Sequence, residues 1–205
     1  MITTKRPAAP ALRILVVAAG YSKRLGRPKA LARVHGVSLL RRTLTLLAPL
    51  SRSPVMIVVP PRAARYRGEI RGLNATLISN RERAEGLSSS VRLGIRHARF
   101  SGALLILPVD LAALRARELE RLVRRWRSAP RRVVARRLAG RAAAPLILPK
   151  RFFSRAGSIT GDGGLRNFVA LLPAETVLLV AVPSAIEDVD TPQELARARR
   201  PRGGG

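Results

Sequence analysis

The chain has 205 residues, 47% of them hydrophobic, enough for one compact domain with a sizeable core. It contains no cysteine, which excludes disulfides, zinc–thiolate sites, cysteine-ligated iron–sulfur clusters and cysteine nucleophiles together. Lysine and arginine number 39 against 12 acids, a formal net charge of +27 that points to polyanionic partners.

Apolar runs alternate with amphipathic segments along the chain. Leu12 to Ala18 reads as a buried strand that ends in a turn at Gly20. Ser38 to Leu47 has a helical pattern. Val55 to Val59 is a second strand, stopped by Pro60-Pro61. Arg62 to Arg71 reads as a helix and Ala75 to Ser79 as a third strand. Ser88 to Arg99 is a helix with serine at its start. Ala103 to Leu107 is a fourth strand, closed by Pro108-Val109-Asp110. Leu111, Leu114, Leu119, Leu122, Val123 and Trp126 follow at helical spacing with arginines between them, and Trp126 is the core anchor of that helix. Arg132 to Ala135 and Leu146 to Leu148 are weaker strands. The pair Phe152-Phe153 packs into the core. Gly164 to Leu172 is helical, Thr176 to Val182 a strand, and Pro192 to Arg199 a closing helix.

This alternation predicts an α/β fold, a Rossmann-like three-layer α/β/α domain with a mainly parallel sheet. One domain spans 12–199, between a flexible amino-terminal segment at 1–11 and a flexible tail at 200–205. No apolar run approaches the ~20 residues of a membrane-spanning helix. No apolar signal core follows Met1, so a cytoplasmic protein without a membrane partner is expected. His35 and His97 are too few for a histidine-rich metal site, and both read as structural or loop residues. The arginines are scattered along the whole chain. A selected basic surface and a mere compositional bias both account for that pattern.

Ligands of parallel α/β sheets bind outside the carboxyl ends of the strands. Three polar segments follow predicted strand ends there. The first runs Ala18-Ala19-Gly20-Tyr21-Ser22-Lys23-Arg24-Leu25-Gly26-Arg27-Pro28-Lys29. Gly20 and Gly26 let backbone N–H groups approach phosphate oxygens, Ser22 adds a hydroxyl, and Arg24 and Lys29 add charge. The spacing is neither G-x-x-x-x-G-K-[ST] nor G-x-G-x-x-G. The second segment, Asn80 to Ser90, brings Ser88, Ser89 and Ser90 to a helix start, where they can cap the helix or donate to an anion. The third element is Asp110, just past an apolar strand. Asp190, far along the chain, is either its partner in a metal site or the N-cap of the closing helix.

The opening segment resembles the signature [LV]-A-[AG]-G-x-S-x-R-[ML]-G-x-x-K of nucleotidyltransferases. Further matches keep step with one branch, the molybdenum cofactor cytidylyltransferases within the MobA-like NTP transferases. These are Ala84 to Ser90, Leu107-Pro108-Val109-Asp110, Thr160-Gly161-Asp162-Gly163-Gly164 and Asp188-Val189-Asp190-Thr191-Pro192. The resemblance implies a GT-A-like nucleotidyltransferase domain. It implies Mg²⁺ on Asp110 and Asp190, and catalytic roles for Arg24, Lys29 and Asp110. It assigns the nucleotide to Ala18, Ala19, Gly20, Ser22, Arg24, Gly26, Lys29, Asn80, Glu85 and Gly86. It assigns the second substrate to Ser88, Ser89, Gly161, Asp162 and Arg166.

The reaction so implied is transfer of CMP from CTP to the phosphate of molybdopterin, a phosphorylated pterin cofactor, with loss of pyrophosphate. A molybdoenzyme or its chaperone is the implied downstream partner. Ala19 points to the cytidylyl branch, since the guanylyl branch usually has glycine there. Leu111-Ala112, Ala144 and Gly163 depart from the branch pattern, so a guanylyl or sugar-phosphate transfer stays open. A basic nucleic-acid-binding protein and an inactive cofactor chaperone are rivals from other classes. Nucleic acid is the weaker expectation, because few aromatics interleave the arginines.

Overall fold

The computed structural model describes residues 11–51, 53–161, 163–182 and 189–199. The strands are β1 (Leu12–Val17), β2 (Arg33–Val34), β3 (Val37–Ser38), β4 (Val55–Val59), β5 (Ala75–Ser79), β6 (Ala103–Pro108), β7 (Val133–Leu138), β8 (Arg141–Pro149) and β9 (Val177–Val180). The helices are α1 (Leu39–Leu47), α2 (Ala64–Ile70), α3 (Leu87–His97), α4 (Ala116–Ser128), α5 (Phe153–Ala156), α6 (Gly164–Ala170) and α7 (Pro192–Ala198).

A seven-stranded sheet in the order β5-β4-β1-β6-β8-β7-β9 forms the centre. β1 pairs in parallel with β4 and β6, β4 with β5, and β7 with β9. β8 alone among them runs antiparallel to its neighbours. Side chains alternate across a strand, so β1 feeds two cores. Ile14 and Val16 face Leu40, Leu44, Leu119 and Trp126 of α1 and α4. Leu15 and Val17 face Val91, Ile95, Leu165 and Val169 of α3 and α6. Burying each such side chain contributes about 1.5–3 kcal/mol. The mainly parallel sheet between two helical layers is the architecture the alternation predicts.

α3 lies unusually close to β1. A Cβ added at Gly94 would fall 2.2 Å from a Leu15 methyl, so glycine permits that approach. Trp126 and the pair Phe152 and Phe153 are buried, as expected. His97 sits on the surface, its Nδ1 beside the Leu93 carbonyl.

Three local expectations are corrected. α4 begins at Ala116, not at Leu111, because Leu111 to Leu114 form tight turns on Asp110 and the Arg115 amide donates to Glu118. Leu111 and Leu114 are buried all the same, which is why their spacing imitated a helix. β7 and β8 extend well beyond the apolar runs, since their outer residues, Arg136, Arg137 and Arg141, pair within a hairpin. The β2–β3 hairpin was not predicted. Its loop, His35-Gly36, has positive φ at both residues, as the type I′ turn of a two-residue hairpin requires.

The segments 1–10 and 200–205 lie outside the described residues, as do Asp162 and Asp188. Ala11 is tied to the sheet, its carbonyl accepting from Gly102 and Ala103 at 2.8 and 3.1 Å.

Candidate active site

From β1 the chain moves through β4 to β5 on one side, then returns through α3 to β6 on the other. That reversal opens a crevice between the carboxyl ends of β1 and β6. A cleft of about 480 Å³ lies there, lined by residues 17–24, Lys29, Ala30, Arg83, Ala84, Gly86, Leu87, Ser90, 108–110 and Asp190.

The loop after β1 is folded by its own backbone. Ser22 adopts φ 52°, and its carbonyl accepts from Leu25 and Gly26 at 3.1 Å. Gly26, at φ 70°, closes this single 3₁₀ turn, a conformation that favours glycine. Ser22 Oγ accepts from the Lys29 amide at 3.1 Å. The hydroxyl expected to meet phosphate thus also staples the two ends of the loop. Gly20 lines the cleft, and a Cβ added there would meet no atom within 4 Å. The space beside its backbone is open to a ligand.

Two aspartates far apart in the chain converge on Lys29. Lys29 Nζ donates to Asp110 Oδ2 at 2.8 Å and also to Asp190 Oδ1. Arg24 reaches Asp190 from the exposed side. The second Asp110 oxygen, Oδ1, is buried and has no hydrogen-bond partner among the described residues. Such an oxygen is costly unless something cationic or donating meets it. Burial by itself would lower the Lys29 pKa, but Asp110 and then Asp190 raise it above its ordinary 10.5. Lys29 is therefore a fixed positive charge at neutral pH.

Asp190 is free for this contact because Thr191 caps α7. Thr191 Oγ1 accepts from the Glu194 amide at 3.2 Å, and Glu194 Oε2 accepts from Thr191 and Asp190 amides at 2.8 and 2.7 Å. This reciprocal box orients the Asp190 backbone and leaves its carboxylate to the cleft. The N-cap role open to Asp190 on spacing alone belongs to its neighbour. Those amide bonds hold Glu194 below its ordinary 4.5.

The opposite wall uses its polar groups differently. Asn80 is buried; its Nδ2 donates to Ser89 and Ser90 at 2.9 and 3.0 Å, and its Oδ1 accepts from the Glu82 amide at 2.9 Å. Ser89 Oγ donates to the Gly86 carbonyl at 2.8 Å. The Ser88 amide donates to Gly161 at 3.3 Å, and Ser88 packs against Gly164. Glu85 is half exposed and paired with Arg92. Asn80, Glu85, Ser88 and Ser89 therefore lie outside the cleft lining, while Gly86 and Ser90 line it. Gly161 is stitched to α3, and Arg166 is exposed on α6, away from the lining.

Tyr21 and Arg83 were not singled out by sequence. The Arg83 guanidinium carbon lies 3.8 Å from the centre of the Tyr21 ring, and both residues line the cleft. Tyr21 occupies an unspecified position of the signature, and Arg83 is one arginine among many. Neither carried a signal of its own. Among the described residues no group of three or more acidic or histidine side chains gathers to hold a metal. Two carboxylates can still hold Mg²⁺, which takes its remaining ligands from substrate phosphates and water.

Comparison with known proteins assigns this arrangement to a family. The profile described as MobA-like NTP transferase domain matches residues 14–177. A probable molybdenum cofactor guanylyltransferase from Opitutus terrae is 28% identical over 94% of this chain and 96% of its own. Another of the same name, from Rhodopirellula baltica, is 27% identical over 92% of both chains. Among solved structures, Rv0371c of Mycobacterium tuberculosis H37Rv shares the fold, with a TM-score of 0.77 at 21% identity over 93% of this chain and 97% of that one. The chain belongs to the MobA-like NTP transferase family and is a nucleotidyltransferase.

Proposed function

We propose that this MobA-like NTP transferase moves a nucleotidyl group from a nucleoside triphosphate to the phosphate of a molybdopterin-type pterin, with Mg²⁺ and with CTP as donor. One observation carries the reading. Lys29, Arg24, Asp110 and Asp190 meet at the mouth of the β1–β6 crevice, beside an open glycine-lined loop.

In this reaction an oxygen of the acceptor phosphate attacks the α-phosphorus of the nucleotide. The bond from that phosphorus to the β-phosphate bridging oxygen breaks, and pyrophosphate leaves with the electron pair. Both reactants are anions, so positioning and charge neutralisation carry most of the catalysis. Lys29, held protonated, and Arg24 neutralise the triphosphate and the departing pyrophosphate. The backbone at Gly20 would meet the phosphates, since no Cβ stands between it and the open cleft. Asp110 and Asp190 would hold the metal, and the unpartnered Oδ1 of Asp110 fits a cation there. Bound Mg²⁺ would supply Lewis-acid neutralisation of the phosphate oxygens. No protein nucleophile is needed, in keeping with a chain that lacks cysteine.

CTP is favoured by Ala19, which lies in the cleft lining where guanylyl relatives usually have glycine. GTP is the second reading, favoured by the guanylyltransferase names of the two relatives that match nearly end to end. The test incubates the chain with molybdopterin, Mg²⁺ and each of the four nucleoside triphosphates, measuring pyrophosphate and the pterin dinucleotide. Dinucleotide formed chiefly from CTP is expected. Product chiefly from GTP would establish the second reading. Pyrophosphate released with a sugar phosphate and not with the pterin would remove the acceptor.

A further inference from the structure

The crevice mouth carries a cation that the arrangement above does not use. The Arg83 guanidinium stands over the Tyr21 ring, its carbon 3.8 Å from the ring centre, and Lys23 Nζ stands 5.9 Å from the same centre. Tyr21 is 53% exposed, so this stack is an outer rim of the cleft and not part of its floor. The neighbouring acids are already engaged. Arg92 takes both Glu85 and Glu82, the latter at 3.7 Å. Asp110 and Asp190 are taken by Lys29 and Arg24. Among the described residues no carboxylate pairs with Arg83, and its Nε is buried without a hydrogen-bond partner.

An arginine with no acid of its own, stacked on an aromatic face, keeps its flat fork of donors pre-organised for an anion. Its support matters as much as its charge. Tyr21 directly follows Gly20 in the loop whose backbone faces the open cleft. Arg83 comes from the far wall, in the 3₁₀ turn Arg83–Glu85. The stack therefore bridges both walls over the phosphate loop.

We infer that Arg83, braced by Tyr21, is a positioning residue that grips the polyphosphate tail of the nucleotide from the wall opposite Lys29. This rests on the nucleotidyl-transfer reading and names a group within the same site. Arg83 would hold the tail that departs as pyrophosphate, and would contribute nothing to the base or sugar.

The experiment is calorimetric titration of the folded chain with CTP, CMP and inorganic tripolyphosphate, in the presence of Mg²⁺. Arg83→Ala is expected to weaken CTP and tripolyphosphate roughly tenfold, the loss of one charge-assisted contact, and to leave CMP unchanged. Tyr21→Leu keeps the charge and removes the brace, so a smaller loss for the same two ligands is expected. Arg83→Lys, which cannot stack in the same way, should fall between wild type and Arg83→Ala. Equal weakening of CMP and CTP would overturn the inference, and so would unchanged tripolyphosphate binding in Arg83→Ala. Wild-type chain that fails to bind tripolyphosphate would overturn it too. Tripolyphosphate carries no base and needs no acceptor. Failure to form a pterin dinucleotide therefore removes the proposed acceptor without touching this measurement.

Discussion

Residues 18–29 and 80–90 follow two strands of the same sheet and line the same cleft, yet they spend their polar groups in opposite ways. The first loop is shaped by backbone hydrogen bonds around Ser22 and Gly26, which leaves Lys29 and Arg24 to reach the aspartates. The second turns Asn80, Ser88 and Ser89 inward, where they hold the start of α3. Polarity at a strand end is thus not itself a sign of a ligand. What matters is whether the backbone already meets its own needs.

Variants on the two sides should separate activity from stability. The largest effect is expected at Asp110→Asn, with turnover falling on the order of a thousandfold while the thermal midpoint stays near wild type. A comparable loss of the fold would place Asp110 with the structural residues of the other loop. Asn80→Ala should do the reverse. It leaves buried partners unpaired and is expected to cost about 2–3 kcal/mol in denaturant unfolding, with turnover per folded molecule nearly kept. A large drop in turnover without loss of stability would show that this loop meets the substrate after all.

Smaller effects sharpen the contrast at Asp190. Thr191→Ala removes the cap of α7 and should cost about 1 kcal/mol. It should also lower turnover, since the cap fixes the Asp190 backbone. The smallest effect is in acid. Glu194 titrates below its ordinary 4.5 in the folded chain. Its contribution is therefore present above the unfolded value and is lost as pH falls through the folded one. Thermal midpoints of wild type and Glu194→Gln should differ near neutrality and converge below pH 4.5. Lys29 has the opposite sign and should hold its charge until pH rises above 10.5, so it adds no pH dependence near neutrality.

Much of this was legible in the chain. β4 and β6 are continuous apolar runs, and β1 is one from Ile14 onward, because strands buried on both faces have no polar side to show. The meeting of Asp110 and Asp190, 80 positions apart, was reached through resemblance to a family and not through spacing. The start of α4 was misread because buried leucines in a turn can mimic helical spacing. The inward turn of Asn80 could not be read from its type, since an amide serves a ligand and a backbone equally well. Arg83 was hidden by abundance; its partly buried place against Tyr21 in the cleft lining, which only the fold reveals, distinguishes it from the other arginines.

The single reversed strand has an architectural consequence. β8 pairs with β6 only from Leu146 to Pro149, whereas Arg141 to Ala143 pair with β7 alone. The tip of that ribbon, Ala139-Gly140, therefore rises past the last rung of β6, at the end of the sheet where the crevice opens. Lengthening or trimming this arm would reshape that edge of the molecule while the seven-stranded platform kept its register. A MobA-like transferase built this way can vary the length of a projecting ribbon without disturbing the strand pairing beneath it.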